Sequence, residues 1–267
     1  MLESLNLDGK TAVVTGGGTG LGREMALALA RAGADLVVAS RRPGPIEVTA
    51  SDATAFGRRA LAVPTDVTDP AQVRGLFRKA LGELGRVDVL INNAGMVAAH
   101  GGAPIWEIPV EEFRAGLDAN LTSAFICSRE IARHMVERGG GKIVNVSSGF
   151  GLRGGRDNYA YACAKGGIIQ LTRTLATSLG RYGVTSNCIV PGYFPTEGTD
   201  ASDEVLPRPE FIPIGRAGDP AELGPIAVFL ASASSDYMNG ALFVADGGGL
   251  AGGYAPTGFV PEVPLKL

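Results

Sequence analysis

Tyr161-Ala-Cys-Ala-Lys165 sets a phenol and an ammonium four residues apart, a spacing that puts both on one face of a helix. Ser148 lies thirteen positions before the tyrosine, in Asn145-Val146-Ser147-Ser148-Gly149. With six tyrosines in the chain, a Tyr-x-x-x-Lys pair alone arises by chance with a probability of about 0.1, and a serine at one fixed offset lowers that to about 0.005. The residue types suit proton transfer. An unperturbed tyrosine has a pKa near 10, so only about 0.1% is phenolate at pH 7. A downward shift of about three units needs roughly 4 kcal/mol, about what one positive charge some 4 Å away supplies at an effective dielectric near 20. Lys165 is the expected source of that charge. Ser148 is expected to hydrogen-bond the reacting oxygen while Tyr161 gives or takes its proton.

A second group of residues points to what such a proton transfer accompanies. The run Thr11–Thr15 leads into Gly16-Gly17-Gly18-Thr19-Gly20-Leu21-Gly22 and then a helical pattern. Glycines at a strand-to-helix turn let the backbone approach a pyrophosphate, whose charge meets free N–H groups and the helix dipole. Because 39 of the 267 residues are glycine, it is the position of the motif, not its pattern, that carries the signal. The next strand closes on Ala39-Ser40-Arg41-Arg42. An NAD site places an acid there for the ribose 2′-hydroxyl, whereas Ser40 and Arg41 suit a 2′-phosphate, so NADP(H) is expected, with NAD(H) the alternative. Arg42 reads as a solvated loop cation. Asp66, next to Val67, is placed to accept from an adenine amine, and Asp69 to cap a helix opening at Pro70. Asn92-Asn93-Ala94-Gly95 ends a fourth strand at the edge where such sheets bind ligands. With a nicotinamide in place, Tyr161 would move its proton as hydride passes between cofactor and substrate carbon.

These residues need a scaffold, and the chain supplies one. Runs rich in β-branched residues recur at Thr11–Thr15, Leu36–Ala39, Ala60–Val63, Val87–Ile91, Lys142–Val146, Val184–Val190 and Ala241–Val244, all but the last followed by a helical stretch. The runs are nearly continuously apolar, as strands buried on both faces are. An α/β fold follows: a Rossmann-type doubly wound sheet of seven parallel strands with helices on both faces. Leu21, Met25, Leu29 and Ala32 form one helical stripe, and Ile168–Leu179 reads as a helix covered on more than one side. No linker interrupts the alternation, so residues 1–249 are expected to form one domain, followed by a Gly/Pro-rich tail over 250–267.

Composition closes off other classes. The net charge is −3, the 24 basic residues are scattered, and no run of 18 apolar residues occurs, so neither nucleic acid nor membrane is an expected partner. Three cysteines and an opening Met1-Leu2-Glu3-Ser4 suggest a cytoplasmic, disulfide-free protein. Cys127, Cys163 and Cys188 read as packing residues and Tyr159 as a wall or contact residue. His100 and His134 read as surface histidines without metal-ligand spacing, and no metal site is expected. Arg129, Arg133 and Arg138 read as a solvated helix face.

Taken together, residues 7–249 resemble the short-chain dehydrogenase/reductase family. Thr15-Gly16-x-x-x-Gly20-x-Gly22 matches its cofactor loop, Asn92-Asn93-Ala94-Gly95 its fourth-strand motif, and Asn120 its helix asparagine. Ser148, Tyr161 and Lys165 match its active-site residues, and Pro191-Gly192 with Thr196 its nicotinamide-contacting segment. The resemblance implies that Lys165 also bonds the nicotinamide ribose, that Asn120 holds a water continuing a proton relay, and that the protein is a homotetramer. The substrate loops are expected to include Met96, Val97, His100, Trp106, Phe150, Leu152, Arg153, Arg156, Tyr193 and Phe194, with a lid over Tyr193–Gly215. They suit a small ketone or secondary alcohol, with a sugar acid, as in a gluconate 5-dehydrogenase, the expected substrate. A β-ketoacyl thioester, as in a 3-oxoacyl-[acyl-carrier-protein] reductase, is the alternative. A non-catalytic dinucleotide sensor is a remote one. The apolar residues of the tail, Leu250, Tyr254, Phe259, Val260, Val263 and Leu265, are expected to pack across a neighbouring subunit and border its substrate pocket.

Overall fold

The computed structural model describes residues 2–96, 104–156, 158–197 and 211–252. Its centre is a sheet of seven parallel strands: β1 (Thr11–Thr15), β2 (Asp35–Ser40), β3 (Ala60–Pro64), β4 (Val89–Asn92), β5 (Gly141–Val146), β6 (Val184–Pro191) and β7 (Leu242–Ala245). Their spatial order is β3-β2-β1-β4-β5-β6-β7. All seven expected runs are strands, displaced by two residues at most. The helices are α1 (Gly20–Arg31), α2 (Pro43–Thr54), α3 (Pro70–Leu84), α4 (Val110–Leu117), α5 (Ser123–Glu137), α6 (Tyr159–Leu179) and α7 (Gly224–Ala231).

Side chains alternate across each strand, so a continuously apolar strand feeds two cores. Ala12, Val14, Leu36, Val38, Val89 and Ile91 pack with Met25 and Leu29 of α1, Ile46 of α2 and Leu230 of α7. Val13, Val37, Ala39 and Leu90 face the other way, toward Leu76 and Phe77 of α3 and Ile131 and Met135 of α5. A third cluster joins Ile168 and Ile169 of α6 to Cys188 and Val190 of β6. Asp69 caps α3 by accepting from the backbone N–H groups of Ala71 and Gln72, at 2.7 and 3.4 Å. No helix among the described residues is long and apolar enough to cross a membrane.

The strand order reverses between β1 and β4, and there the helices that follow leave to opposite faces. A crevice must open at the carboxyl ends of these strands. Thr15 and Asn93 close its floor. The Thr15 hydroxyl accepts from the backbone N–H groups of Asn93 and Ala94, both at 3.1 Å, while Asn93 Nδ2 donates to the carbonyls of Thr15 and Gly16.

Candidate active site

A cleft of about 1560 Å³ occupies that crevice. Every residue expected to bind cofactor lines it: Gly16, Gly18, Thr19, Gly20, Leu21, Gly22, Ser40, Arg41, Asp66, Val67, Asn93, Ala94, Gly95, Tyr161, Lys165, Pro191, Gly192 and Thr196. Asn120 and Ser148 line it as well.

The glycine turn is built for close backbone approach. Gly16 has φ +65°, and a Cβ on Gly22 would lie 2.2 Å from the Gly16 carbonyl oxygen. Thr19, at the head of α1, makes no side-chain capping bond, which leaves the first amides of the helix for an anion in the cleft. A pyrophosphate fits this cradle. Further along, Asp66 Oδ1 accepts from the hydroxyl and the N–H of Thr68 at 2.7 and 2.9 Å. Those two bonds, with Arg41 adding to them, hold its carboxyl below the usual carboxylate range. Arg41 is exposed at the mouth, while Ser40 donates to the Arg42 carbonyl at 3.2 Å and pins the loop.

At the other end α6 delivers Tyr161 and Lys165. Ser148 follows β5 and hydrogen-bonds the Tyr161 side chain. Lys165 is 5% exposed; its Nζ donates to the Val146 carbonyl at 3.0 Å and stands 5.4 Å from the centre of the Tyr161 ring. Burial brings the Lys165 pKa down to about 8. Burial also pushes the Tyr161 phenol up, with the Ser148 hydrogen bond opposing it. The expected depression of the phenol by Lys165 is therefore corrected: in the protein alone desolvation dominates, and the ammonium that should act on the phenol is itself disfavoured by burial.

Asn120 sits in a π turn, Asp118–Thr122, between α4 and α5. Single π turns inside helices frequently mark functional positions. Its Nδ2 donates to the carbonyls of Met96 and Gly116, both at 3.0 Å, and its Oδ1 accepts from the Met96 N–H at 3.2 Å. A Cβ on Gly95 would meet Asn120 Oδ1 at 2.6 Å, so the glycine of the fourth-strand motif makes room for this side chain.

Of the expected substrate-loop residues, Met96, Phe150, Arg153, Tyr193 and Phe194 line the cleft. Trp106, Leu152 and Arg156 do not; Trp106 is 82% exposed on a short turn. Val97 and His100 lie outside the described residues, as do 198–210 of the lid and 253–267 of the tail. Leu250 lines the cleft of its own chain. Sequence reasoning missed Asn158 and Asp246, also in the wall, and covered Phe211 and Ile212 only as part of the lid. Asp246 is legible afterwards as the acid before Gly247-Gly248-Gly249: its carboxylate accepts from the N–H groups of Gly248 and Leu250. Two further expectations change. Cys163 is exposed, since the buried stripe of α6 passes through Ala164, Lys165 and Ile168. His134 is half-buried, and its Nε2 accepts from the Val87 N–H at 3.3 Å.

The chain is similar to known proteins over nearly all its length. It is 39% identical over 259 residues to the 2-dehydro-3-deoxy-D-gluconate 5-dehydrogenase of Dickeya dadantii, covering 94% of this chain and 99% of that one. It is 36% identical over 253 residues to the 5-keto-D-gluconate 5-reductase of Escherichia coli, covering 93% and 98%. The crystal structure of a gluconate 5-dehydrogenase from Burkholderia cenocepacia in complex with NADP and tartrate superposes with a TM-score of 0.86 at 35% identity, over 93% and 98% of the two chains. Residues 10–206 match the model of the short chain dehydrogenases. With that match, a seven-stranded sheet in the order described and a serine, tyrosine and lysine meeting at its crevice, the chain belongs to the short-chain dehydrogenase family of oxidoreductases.

Proposed function

We propose that the protein uses NADP(H) to interconvert a ketone and a secondary alcohol on a sugar acid. The observation that carries the reading is the meeting of Ser148, Tyr161 and Lys165 at the switch-point cleft, where the glycine cradle fits a pyrophosphate. The bound nicotinamide supplies or takes up the hydride. Ser148 and Tyr161 hold the reacting oxygen by hydrogen bonds, and Tyr161 Oη gives it a proton in reduction. A phenol pushed up by burial is protonated at neutral pH, as a proton donor should be. In oxidation it must first lose that proton, which burial of the phenol opposes and the Ser148 hydrogen bond favours. Asn120 is the positioning residue, fixing the chain between Gly95 and α5. Phe150, Phe194, Phe211 and Leu250 exclude water around the oxygen.

A sugar acid is supported by the names of the relatives, which act on dehydrodeoxygluconate or ketogluconate. NADP(H) over NAD(H) is supported by Ser40 and Arg41 and by the NADP of the B. cenocepacia structure. A homotetrameric, cytoplasmic protein whose tail packs on a neighbouring subunit is the family-based proposal. Support for association comes from β7, which ends the sheet with Val244 46% exposed on the face opposite Phe243 and Ala245.

Absorbance at 340 nm tests the reading. NADPH should be consumed with 5-keto-D-gluconate and not with an acetoacetyl thioester, with NADPH preferred over NADH roughly ten- to a hundredfold. Tyr161→Phe should lose kcat by several orders of magnitude yet still bind NADPH. A variant keeping a tenth of the wild-type kcat overturns the assignment of Tyr161.

A further inference from the structure

Four apolar side chains of the cleft wall, Phe194, Phe211, Ile212 and Leu250, come from three separate stretches of the chain. Phe194 follows β6, Phe211 and Ile212 precede α7, and Leu250 follows β7. The turn after β7 brings these stretches together, and Asp246 opens it. Its Oδ1 accepts from the Gly248 N–H at 2.9 Å and its Oδ2 from the Leu250 N–H at 2.7 Å, so both carboxylate oxygens serve the turn although the residue lines the cleft. Gly247 and Gly248 run at φ +63° and +88°, a backbone that a side chain would strain and that the two bonds keep from opening.

The turn grips the stretch before α7. The Gly247 carbonyl accepts from the Ile214 N–H at 3.1 Å. A Cβ on Gly247 would stand 2.7 Å from the Cγ2 atoms of Ile212 and Ile214, and one on Gly252 would stand 2.6 Å from Pro213 Cγ. Approach this close needs glycine on one side, and it seats Ile212, 6% exposed, in the wall. On its other flank Asp246 meets the chain leaving β6: a Cβ on Gly192 would lie 2.6 Å from Asp246 Cα and Cβ. Those atoms remain when the carboxylate is cut away, so the contact with Gly192 survives truncation of the side chain.

We propose that Asp246 is a positioning residue for the substrate end: through its turn it holds Ile212 and Leu250 in the wall, and so sets the affinity for substrate without acting on the cofactor or the proton transfer. This rests on the reading of the cleft as one that reduces a keto acid, and hydrogen exchange tests the clasp apart from it. In NADPH-loaded enzyme, Asp246→Ala should speed amide exchange in 247–252 and also in 211–218, although the carboxylate bonds only the first stretch. With 5-keto-D-gluconate it should raise KM about tenfold while kcat stays within about threefold, the pattern of lost binding rather than lost chemistry. Asp246→Asn keeps one acceptor oxygen and should fall between. Gly252→Ala, which drives a methyl against Pro213 and leaves the carboxylate alone, should raise KM as well. NADPH affinity should be unchanged in all three variants. Faster exchange confined to 247–252, a fall in kcat with KM unchanged, or a loss of NADPH affinity overturns the proposal. So does tighter ketogluconate binding by Asp246→Asn, the mark of a carboxylate that acts on substrate by its charge. If the wild type reduces no ketogluconate, the proposed reaction fails, and exchange at 211–218 alone decides whether Asp246 holds the wall.

Discussion

Burial strips the Lys165 ammonium of water, and its Nζ donates to the Val146 carbonyl. In the unfolded chain the lysine has its ordinary pKa near 10.4, whereas in the folded protein it is about 8. Between those values the native state holds fewer protons than the unfolded state, so stability rises with pH across that window. Below about 8 the full cost of burying the charge is present. The wild type should therefore gain up to about 3 kcal/mol relative to Lys165→Met between pH 7 and pH 10.5 in cofactor-free denaturant unfolding. An unchanged difference across that range contradicts a depressed Lys165. Tyr161 gives a companion expectation. With the phenol pushed up by burial, kcat for alcohol oxidation should climb through alkaline pH while kcat for reduction stays level until the phenol titrates. A pH-independent oxidation rate from pH 6 to 10 counts against Tyr161 as the base.

Elements meet under the cleft through polar side chains. Asn92 Nδ2 reaches Asn145 Oδ1 at 2.9 Å and Ser128 Oγ at 3.0 Å, and Asn145 Nδ2 donates to Thr172 Oγ1 at 2.9 Å. β4, β5, α5 and α6 are stitched together by four residues, each at most 4% exposed. Asn145→Ala leaves the Asn92 amide and the Thr172 hydroxyl short of partners and should cost about 2–3 kcal/mol, read as a lower thermal midpoint, with activity falling because α6 carries Tyr161. A midpoint within a degree of wild type means the network contributes little. Asn145 was in plain view in the sequence, but only as part of a strand. Strands are legible because both faces of a parallel sheet demand apolar residues, and the cleft lining because a turn against a pyrophosphate demands glycine. Nothing local marks Asn145, Ser128 and Thr172 as partners, since they come from three elements and meet only through strand register and helix docking. The π turn at Asn120 and the outward placement of Cys163 and Trp106 escaped for the same reason: each depends on how one helix or turn sits on the next. Gly95 could have pointed to Asn120, had the clash of its missing Cβ been visible before the fold.

On the scale of the whole molecule, the open edge of the sheet is the part not explained by the site. Val244 is exposed on β7, the last strand of the sheet. If that edge is where subunits meet, Val244→Glu should shift the protein to a smaller species in light scattering while sparing cofactor affinity. Deleting residues 251–267 should lower the thermal midpoint and change KM. Sizing, melting and kinetics identical to full length in both variants contradict this picture of association.

The order of strands also governs how the chain comes to be folded. β1 lies between β2, which follows at once, and β4, which does not exist until Val89–Asn92 has been synthesised. Until then one side of β1, Thr11-Ala12-Val13-Val14-Thr15, is an unpaired edge, the kind that recruits other chains. The floor of the cleft, where Thr15 meets Asn93, closes only with that late pairing across 78 residues of sequence. Long-range parallel pairing is slow. A nascent chain stalled before β4 thus presents an unpaired strand edge beside the place where, once complete, the cleft opens.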